Sequence, residues 1–549
     1  MAGIKFSRKE FEKHFKLTEE LKEKISLFGT HFESENAENV ELEITPNRPD
    51  LFSLQRFIAS FSAFLGKSKE KGLREYKLNK PEKNFEVTIE KSVKDVRPFT
   101  ACAIIKEMKF DDEKIKEVIN IQEKIHTTLG RNRKKIAIGI YPLEKITLPI
   151  KFEARTPIDI KFIPLEAERE MTGLQILQSH PTGREYAHLL EGKDKFPVFV
   201  DATGEILSMP PIINSHKTGK VAETTKDVFI ECSGFDFEIL KKTLNILVTM
   251  FADMGGKIYQ MNLDYNGKKE TTPNLTPEKM KLNHENVNKL LGLELKETEI
   301  KNLLEKMGYN YDAKTKTVEI PAWRTDIMHE VDLIEDIAIA YGYNNFEPEI
   351  PSIATTGEIS KIEILKKKIT EILCGLNMLE ISNYHMLTKE DIKLFGIKEK
   401  ESIETEDSKS EYKILRQNLM IMNLKTLMNN VDSEYPQRIF ELGRVFNKDA
   451  KEETGIKESE RLCITLASPS TGFTEIKQTL EYLMRMLGKN KEISIESSEN
   501  SPFIEGRCAK ITLNKKTIGF LGEIKPQMLD NRGIKMPVAA LEIDVNELI

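Results

Sequence analysis

The sequence predicts a multidomain α+β protein, and three observations carry that prediction. Its 549 residues allow about four domains at roughly 150 residues each. Hydrophobic residues at 39% supply several cores, while charged residues at 31% keep the surface polar. Apolar residues recur at helical spacing in some stretches and in short β-rich runs in others, in blocks parted by charged or turn-rich segments. Four blocks are expected: an α/β unit with a linker over residues 1–84, a second α/β unit over 85–265, a small winged helix-turn-helix-like unit over 270–346, and an antiparallel α+β unit over 350–549.

In the first block, Pro46, Asn47, Pro49 and Asp50 supply turn chemistry. Leu51, Leu54, Phe57, Ile58, Phe61, Phe64 and Leu65 then follow at helical spacing up to Gly66, and the charged stretch 67–84 reads as a linker. The second block carries short β-rich pieces at 85–89, 103–105, 136–140 and 198–200, helices near 112–129 and 235–254, and a loop-rich stretch between Ile206 and Gly234. In the third, Val287, Leu290 and Leu291 run to Gly292, and Ile300, Leu303, Leu304 and Met307 run to Gly308, which makes two short capped helices; 316–320 alternates as a strand and 330–341 forms a closing helix. The fourth has two amphipathic helices, one lined by Ile362, Leu365, Ile369, Ile372, Leu373 and Leu376, the other by Ile476, Leu480, Leu483, Met484 and Leu487. Strands at 438–446, 461–467, 508–513 and 540–545 are segregated from them.

Composition excludes several functions. With 82 basic and 88 acidic side chains the formal charge is −6, so no global positive field marks the chain as a nucleic-acid binder and RNA contact must come from local patches. Five cysteines stand far apart with no CxxC pair, which argues against a disulfide framework and a cysteine-built zinc site and fits a reducing cytosol. No signal-peptide core or membrane-length apolar run is present, so a cytoplasmic location without membrane contact is expected. There is no phosphate loop, dinucleotide-binding fingerprint, nucleophile elbow or HExxH.

Three constellations remain. Asp332, Glu335 and Asp336 fall at i, i+3 and i+4 on one helical face, with Asp326 just upstream. Like charges at that spacing repel by a few tenths of a kcal/mol per pair, so a neutralising partner is called for. Oxygen donors without His or Cys suit a hard cation such as Mg²⁺; equally, acidic residues in a first helical turn favour the macrodipole with no ligand at all. Next, Pro210 and Pro211 stiffen a loop carrying Asn214, Ser215 and His216, and Glu231 and Ser233 close a strand some sixteen residues later. These line a polar pocket if loop and strand meet; otherwise they are caps and turns. Last, the basic run RNRKK over 131–135 is either a solvated turn or a phosphate contact.

The residues also carry a resemblance. NRPDLFS at 47–53, VRPFTACAII at 96–105, RKKIAIGIYPLEKI at 133–146, HPTGREYAHLL at 180–190, LSMPPIINS at 207–215, TPNLTPEKM at 272–280, RTDIMHEVDLIEDIAIAYGYN at 324–344, and EGRCAKI with GFLGEIKPQML over 505–529 resemble the β subunit of phenylalanyl-tRNA synthetase, archaeal and eukaryotic-cytosolic type, almost end to end. The resemblance implies an editing domain in the second block and a class II synthetase-like core without catalytic motifs in the fourth. It implies a heterotetrameric α₂β₂ ligase that charges tRNA(Phe) with phenylalanine using ATP and Mg²⁺, the aminoacylation site lying in the α subunit. Asp326, Asp332, Glu335 and Asp336 then belong to a Mg²⁺ site shared with that subunit. Ser215, Glu231 and Ser233, with Leu207 and Pro211 as walls, are expected to line a pocket hydrolysing mischarged Tyr-tRNA(Phe). Where the family pattern has Asp, an apolar residue and Thr, this chain has Glu231, Cys232 and Ser233, and Pro142 stands where an acidic residue is expected. A tRNA-binding scaffold without hydrolysis is the alternative; a freestanding editing protein is disfavoured by the amphipathic surfaces of the fourth block.

Overall fold

A computed structural model describes residues 2–68, 70–394, 399–406 and 408–549. The chain divides into two units, one up to Glu349 and the other from Ile350.

The first unit opens with a three-stranded sheet in which Asn39–Ile44 lies between Ala2–Ser7 and His31–Glu35, antiparallel to both. This block is therefore α+β rather than α/β. The connection from Glu35 to Asn39 is too short for anything but a hairpin, and Asn36 Oδ1 holds it by accepting from the N–H groups of Glu38 and Asn39. Strand alternation in Asn39–Ile44 buries Val40, Leu42 and Ile44 against the helix Leu54–Phe64, which Ser53 caps through Arg56 N–H. Phe57 and Phe61 of that helix meet Phe6, Phe11, Phe15 and Phe28 in an aromatic core, each ring contributing roughly 1.5–3 kcal/mol on burial.

The charged stretch 67–84 is not a free linker. Tyr76 stands edge-on to Trp323 at 5.2 Å and donates to Asp253 Oδ1 at 2.8 Å, and Leu78–Asn79 pairs with Ile258–Tyr259. Its apolar and aromatic residues are too few to show a period, so only tertiary contacts disclose the anchoring.

Beyond it lies an eleven-stranded mixed sheet. Phe99–Lys106 runs antiparallel to both Val228–Gly234 and Lys257–Tyr265, and Val228–Gly234 also pairs with Ile136–Pro142. The helix Phe237–Asp253, capped by Asp236, packs Leu240, Leu244, Leu247 and Phe251 into the core that holds Ala101, Ala103 and Ile105. The helix Asp112–Thr127, capped by Asp111, covers the strand Ile136–Pro142. Between Ile206 and Gly234 the expected loop contains two further strands, Ile206–Met209 and Ile213–Asn214.

The helices His284–Leu291 and Glu297–Lys306 follow, the first stopped by Gly292 at φ +67°. A small antiparallel sheet (Glu278–Lys281, Thr317–Ile320, Asn310–Asp312) and the helix Glu330–Tyr341 complete the unit.

The second unit is built on a seven-stranded sheet: Leu379–Glu380, Gln437–Lys448, Ile456–Ala467, Val538–Asp544, Lys516–Ile524, Phe503–Leu513 and Ile493–Ser497, antiparallel except for the first pair. Both amphipathic helices form, as Lys361–Gly375 and Phe473–Met486, and bury Ile369, Leu373, Ile476, Leu480, Leu483 and Met484 in one core with the sheet. The helix Met420–Asn429 shares a second core with Cys463, Val538 and Ala540. Among the described residues no helix is long and apolar enough to cross a membrane.

Candidate active site

A cavity of about 520 Å³ opens in the first unit between the helix Asp112–Thr127, the strand Ile136–Pro142 and the loop after Met209. That is the size of an ordinary small-molecule site. One wall is apolar (Ile115, Val118 and Ile119 from the helix, Ile138 and Ile140 from the strand), because helical spacing turns this face over the sheet. Ser208, Pro211, Asn214 and Glu231 also line it, Glu231 from the sheet face that carries Phe229 and Tyr141 rather than the face under that helix.

Glu231 decides the chemistry. It is 1% exposed, and burial pushes its carboxyl up to about 8 despite the opposing charge of Arg97 and the neighbouring Tyr141 and Ser233 hydroxyls. At neutral pH it is therefore a carboxylic acid with an O–H to donate. Tyr141 donates to its Oε1 at 3.3 Å and lies 3.4 Å from Asn214 Oδ1, a loose arrangement. Among the described residues Glu231 Oε2 and the buried Ser208 hydroxyl make no hydrogen bond of good geometry, their nearest polar neighbours being Ser233 and the Tyr141 phenol. Two orphaned polar groups facing one cavity are rare in a folded protein, each costing about 1–3 kcal/mol until something pairs with it.

Close approach here depends on Gly139, which stands opposite Glu231 in the sheet register. A Cβ at that position would overlap the Tyr141 hydroxyl and lie 2.6 Å from Glu231 Oε1. The Arg97 guanidinium, drawn down to about 10 by burial, donates from Nε to Ser233 Oγ at 3.1 Å and from Nη2 to Ser233 O at 2.6 Å.

Of the five pocket residues expected, Pro211 and Glu231 line the cavity and Leu207, Ser215 and Ser233 do not. Side chains alternate along Ile206–Met209, so Ser208 faces the cavity and Leu207 is packed in the core behind it. Ser215 is buried, its N–H donating to Leu207 O and its hydroxyl without a hydrogen bond among the described residues. Ser233 is taken up by Arg97. Sequence reasoning missed Ser208, Gly139, Tyr141 and the helix wall; Ser208 was within its motif, but the face it presents is set by register.

Cys102 and Cys232 flank Glu231 on neighbouring positions of the sheet; burial pushes both thiols up, so neither is a ready nucleophile. His126 is neutral through burial: its Nε2 accepts from Ile138 N–H at 2.9 Å, which leaves the proton on Nδ1, facing Glu123 at 3.3 Å.

The acidic cluster folds differently from its one-face pattern. Arg324, 3% exposed, donates from Nε and Nη2 to both oxygens of Asp326, and from Nη2 to Asp336 Oδ2 at 2.7 Å. Tyr309 also donates to Asp336. Asp332 Oδ2 accepts the N–H groups of Met328 and His329 and so caps its own helix, while Glu335 is exposed. The neutralising charge at Asp326 and Asp336 is thus Arg324, and removing one partner of such a buried cluster costs about 3–5 kcal/mol. Among the described residues no three His, Cys, Asp or Glu side chains converge as a cation shell. The four carboxylates do not by themselves fit a metal.

Residues 280–343 match the family model of the tRNA synthetase B5 domain, and residues 347–545 that of the phenylalanyl-tRNA synthetase beta chain CLM domain. The chain is 39% identical over 501 residues to the phenylalanine–tRNA ligase β subunit of Thermococcus sibiricus, covering 90% of this chain and 88% of that one. It is 39% identical over 506 residues to the β subunit of Pyrococcus horikoshii, covering 91% and 90%. An N-terminal fragment of the Pyrococcus horikoshii phenylalanyl-tRNA synthetase β subunit, solved by crystallography, is 37% identical and superposes with a TM-score of 0.59, covering 62% of this chain and 99% of the fragment. This chain belongs to the phenylalanine–tRNA ligase β-subunit family.

Proposed function

We propose that the chain serves as the non-ligating subunit of an α₂β₂ phenylalanine–tRNA ligase in the cytoplasm, and that its cavity hydrolyses Tyr-tRNA(Phe) made in error by the α subunit from ATP, tyrosine and tRNA(Phe). The reaction class follows from a limit on apolar recognition: a pocket built for phenylalanine rejects the extra hydroxyl of tyrosine by only roughly 10². A second site that demands the hydroxyl supplies the missing factor. The observation that carries the reading is the pair of orphaned groups. Protonated Glu231 offers its O–H to the phenolic oxygen, the Ser208 hydroxyl completes the contact, and a phenylalanyl ester leaves both unsatisfied. The apolar part of the lining takes the ring, and water attacks the ester carbonyl to release tyrosine and free tRNA.

Glu335 and Asp332 Oδ1, which accepts no hydrogen bond among the described residues, are the donors this chain would offer to a Mg²⁺ ion, with the remaining ligands coming from the α subunit.

The test is deacylation of preformed Tyr-tRNA(Phe) by the ligase complex. Glu231→Ala is expected to lower hydrolysis by about 10²-fold while Phe charging persists. Full hydrolysis in that variant removes the pocket assignment. Absence of hydrolysis in the wild-type complex would leave a tRNA-binding scaffold.

A further inference from the structure

We infer that Arg133 is a positioning residue that sets the width of this cavity, an inference that rests on the hydrolytic reading. Its guanidinium bridges the two walls: Nη1 donates to Ile212 O at 2.9 Å, in the loop carrying Pro211 and Asn214, and Nη2 donates to Glu123 Oε1 at 2.9 Å, on the helix that forms the apolar wall. Among the described residues no other hydrogen bond joins the segment 112–135 to the loop 210–220. A third contact fixes the plane, since the guanidinium lies 4.3 Å over the Tyr186 ring. Glu123 is itself held as a carboxylate, its pKa lowered to about 2 by the bond from His126 and by Arg133. His126 in turn accepts from the backbone of the strand beneath. One continuous chain of hydrogen bonds therefore runs from that strand through the helix to the loop.

The backbone around Arg133 supports the same conclusion. Arg131, Asn132 and Arg133 lie consecutively in the left-handed region, at φ +46°, +52° and +64°, with no glycine among them. Branched or long side chains rarely adopt this conformation, and such strain persists where surrounding contacts over-determine it. Here the strained turn brings Arg133 inward while Arg131, Lys134 and Lys135 stay exposed. The RNRKK run is thus divided between one inward-facing residue and a solvated remainder. A lysine cannot replace Arg133, because only a planar fork reaches both acceptors at once.

The test uses the ligase complex with preformed Tyr-tRNA(Phe), with Glu231→Ala as the reference. Arg133→Ala is expected to lower kcat for hydrolysis by about tenfold to a hundredfold, since small misplacements at a reacting centre cost that much, with KM changed far less. Arg133→Lys should recover only part of the loss. Added guanidinium ion should restore hydrolysis by Arg133→Ala without affecting Arg133→Lys. If Arg133→Ala melts the domain, Glu123→Gln decides: it preserves the shape but weakens the acceptor, and it should show the same kcat loss. Wild-type hydrolysis in Arg133→Ala, or in a folded Glu123→Gln variant that replaces it, overturns the inference when Glu231→Ala is inactive. Wild-type hydrolysis in Glu231→Ala as well overturns the pocket reading itself.

Discussion

Replacing Glu231 by Gln tests the central electrostatic argument by a route that does not depend on any substrate. Burial raises this carboxyl from 4.5 to about 8. A raised acid binds its proton more tightly in the folded than in the unfolded chain. Its stabilising contribution is therefore complete below pH 4.5, falls as pH rises through the interval to about 8, and changes no further above it. Each pH unit in that window is worth about 1.4 kcal/mol, so the wild-type first unit gives up about 3 kcal/mol by pH 7 relative to a group that never ionises. Gln keeps the shape and an N–H donor but cannot ionise. The variant should match or fall slightly below the wild type at pH 4.5 and exceed it increasingly up to pH 8, when unfolding of the first unit is followed by denaturant titration. Glu117, also raised to about 7 by burial, contributes equally to both proteins and cancels in the difference. The same variant should keep hydrolysing Tyr-tRNA(Phe) above pH 8, where the wild type loses its donor. A stability difference independent of pH would refute a neutral Glu231 and with it the proposed hydroxyl recognition.

Two further outcomes are expected. Gly139→Ala places a Cβ against the Tyr141 hydroxyl and 2.6 Å from Glu231 Oε1, in a buried strand where neither can retreat; it should cost about 1–3 kcal/mol in denaturant unfolding and abolish hydrolysis, and wild-type behaviour would show that the floor is looser than described. Glu335→Ala touches an exposed carboxylate with no ion pair among the described residues, so its stability should change by less than about 0.5 kcal/mol. A raised Mg²⁺ requirement for charging in that variant would support the shared metal, and an unchanged Mg²⁺ titration would remove Glu335 from it.

Much of the fold is legible in local pattern. The alternation in Asn39–Ile44 and the stripes of Lys361–Gly375 and Phe473–Met486 record which face of each element is buried, since burial acts on residues two, three or four apart. The glycine stop after His284–Leu291 is equally local. The stretch around Tyr76 and Arg74 is illegible for the opposite reason: its partners, Asp253 and Trp323, are about 180 and 250 residues away.

Sequence alone determined the family, the chain of helices and strands, and the two segments in which chemistry is concentrated, because these depend on residue type and short-range spacing. Only tertiary structure decided which partners the side chains of those segments meet. Arg324 reached two of the four carboxylates that a helical wheel leaves unpaired, and strand register chose Ser208 over Leu207 and set Gly139 opposite Glu231. A carboxyl's charge is the clearest case: Glu231 has the same atoms as any exposed glutamate, and it is the loss of water around it in the folded sheet that keeps its proton on.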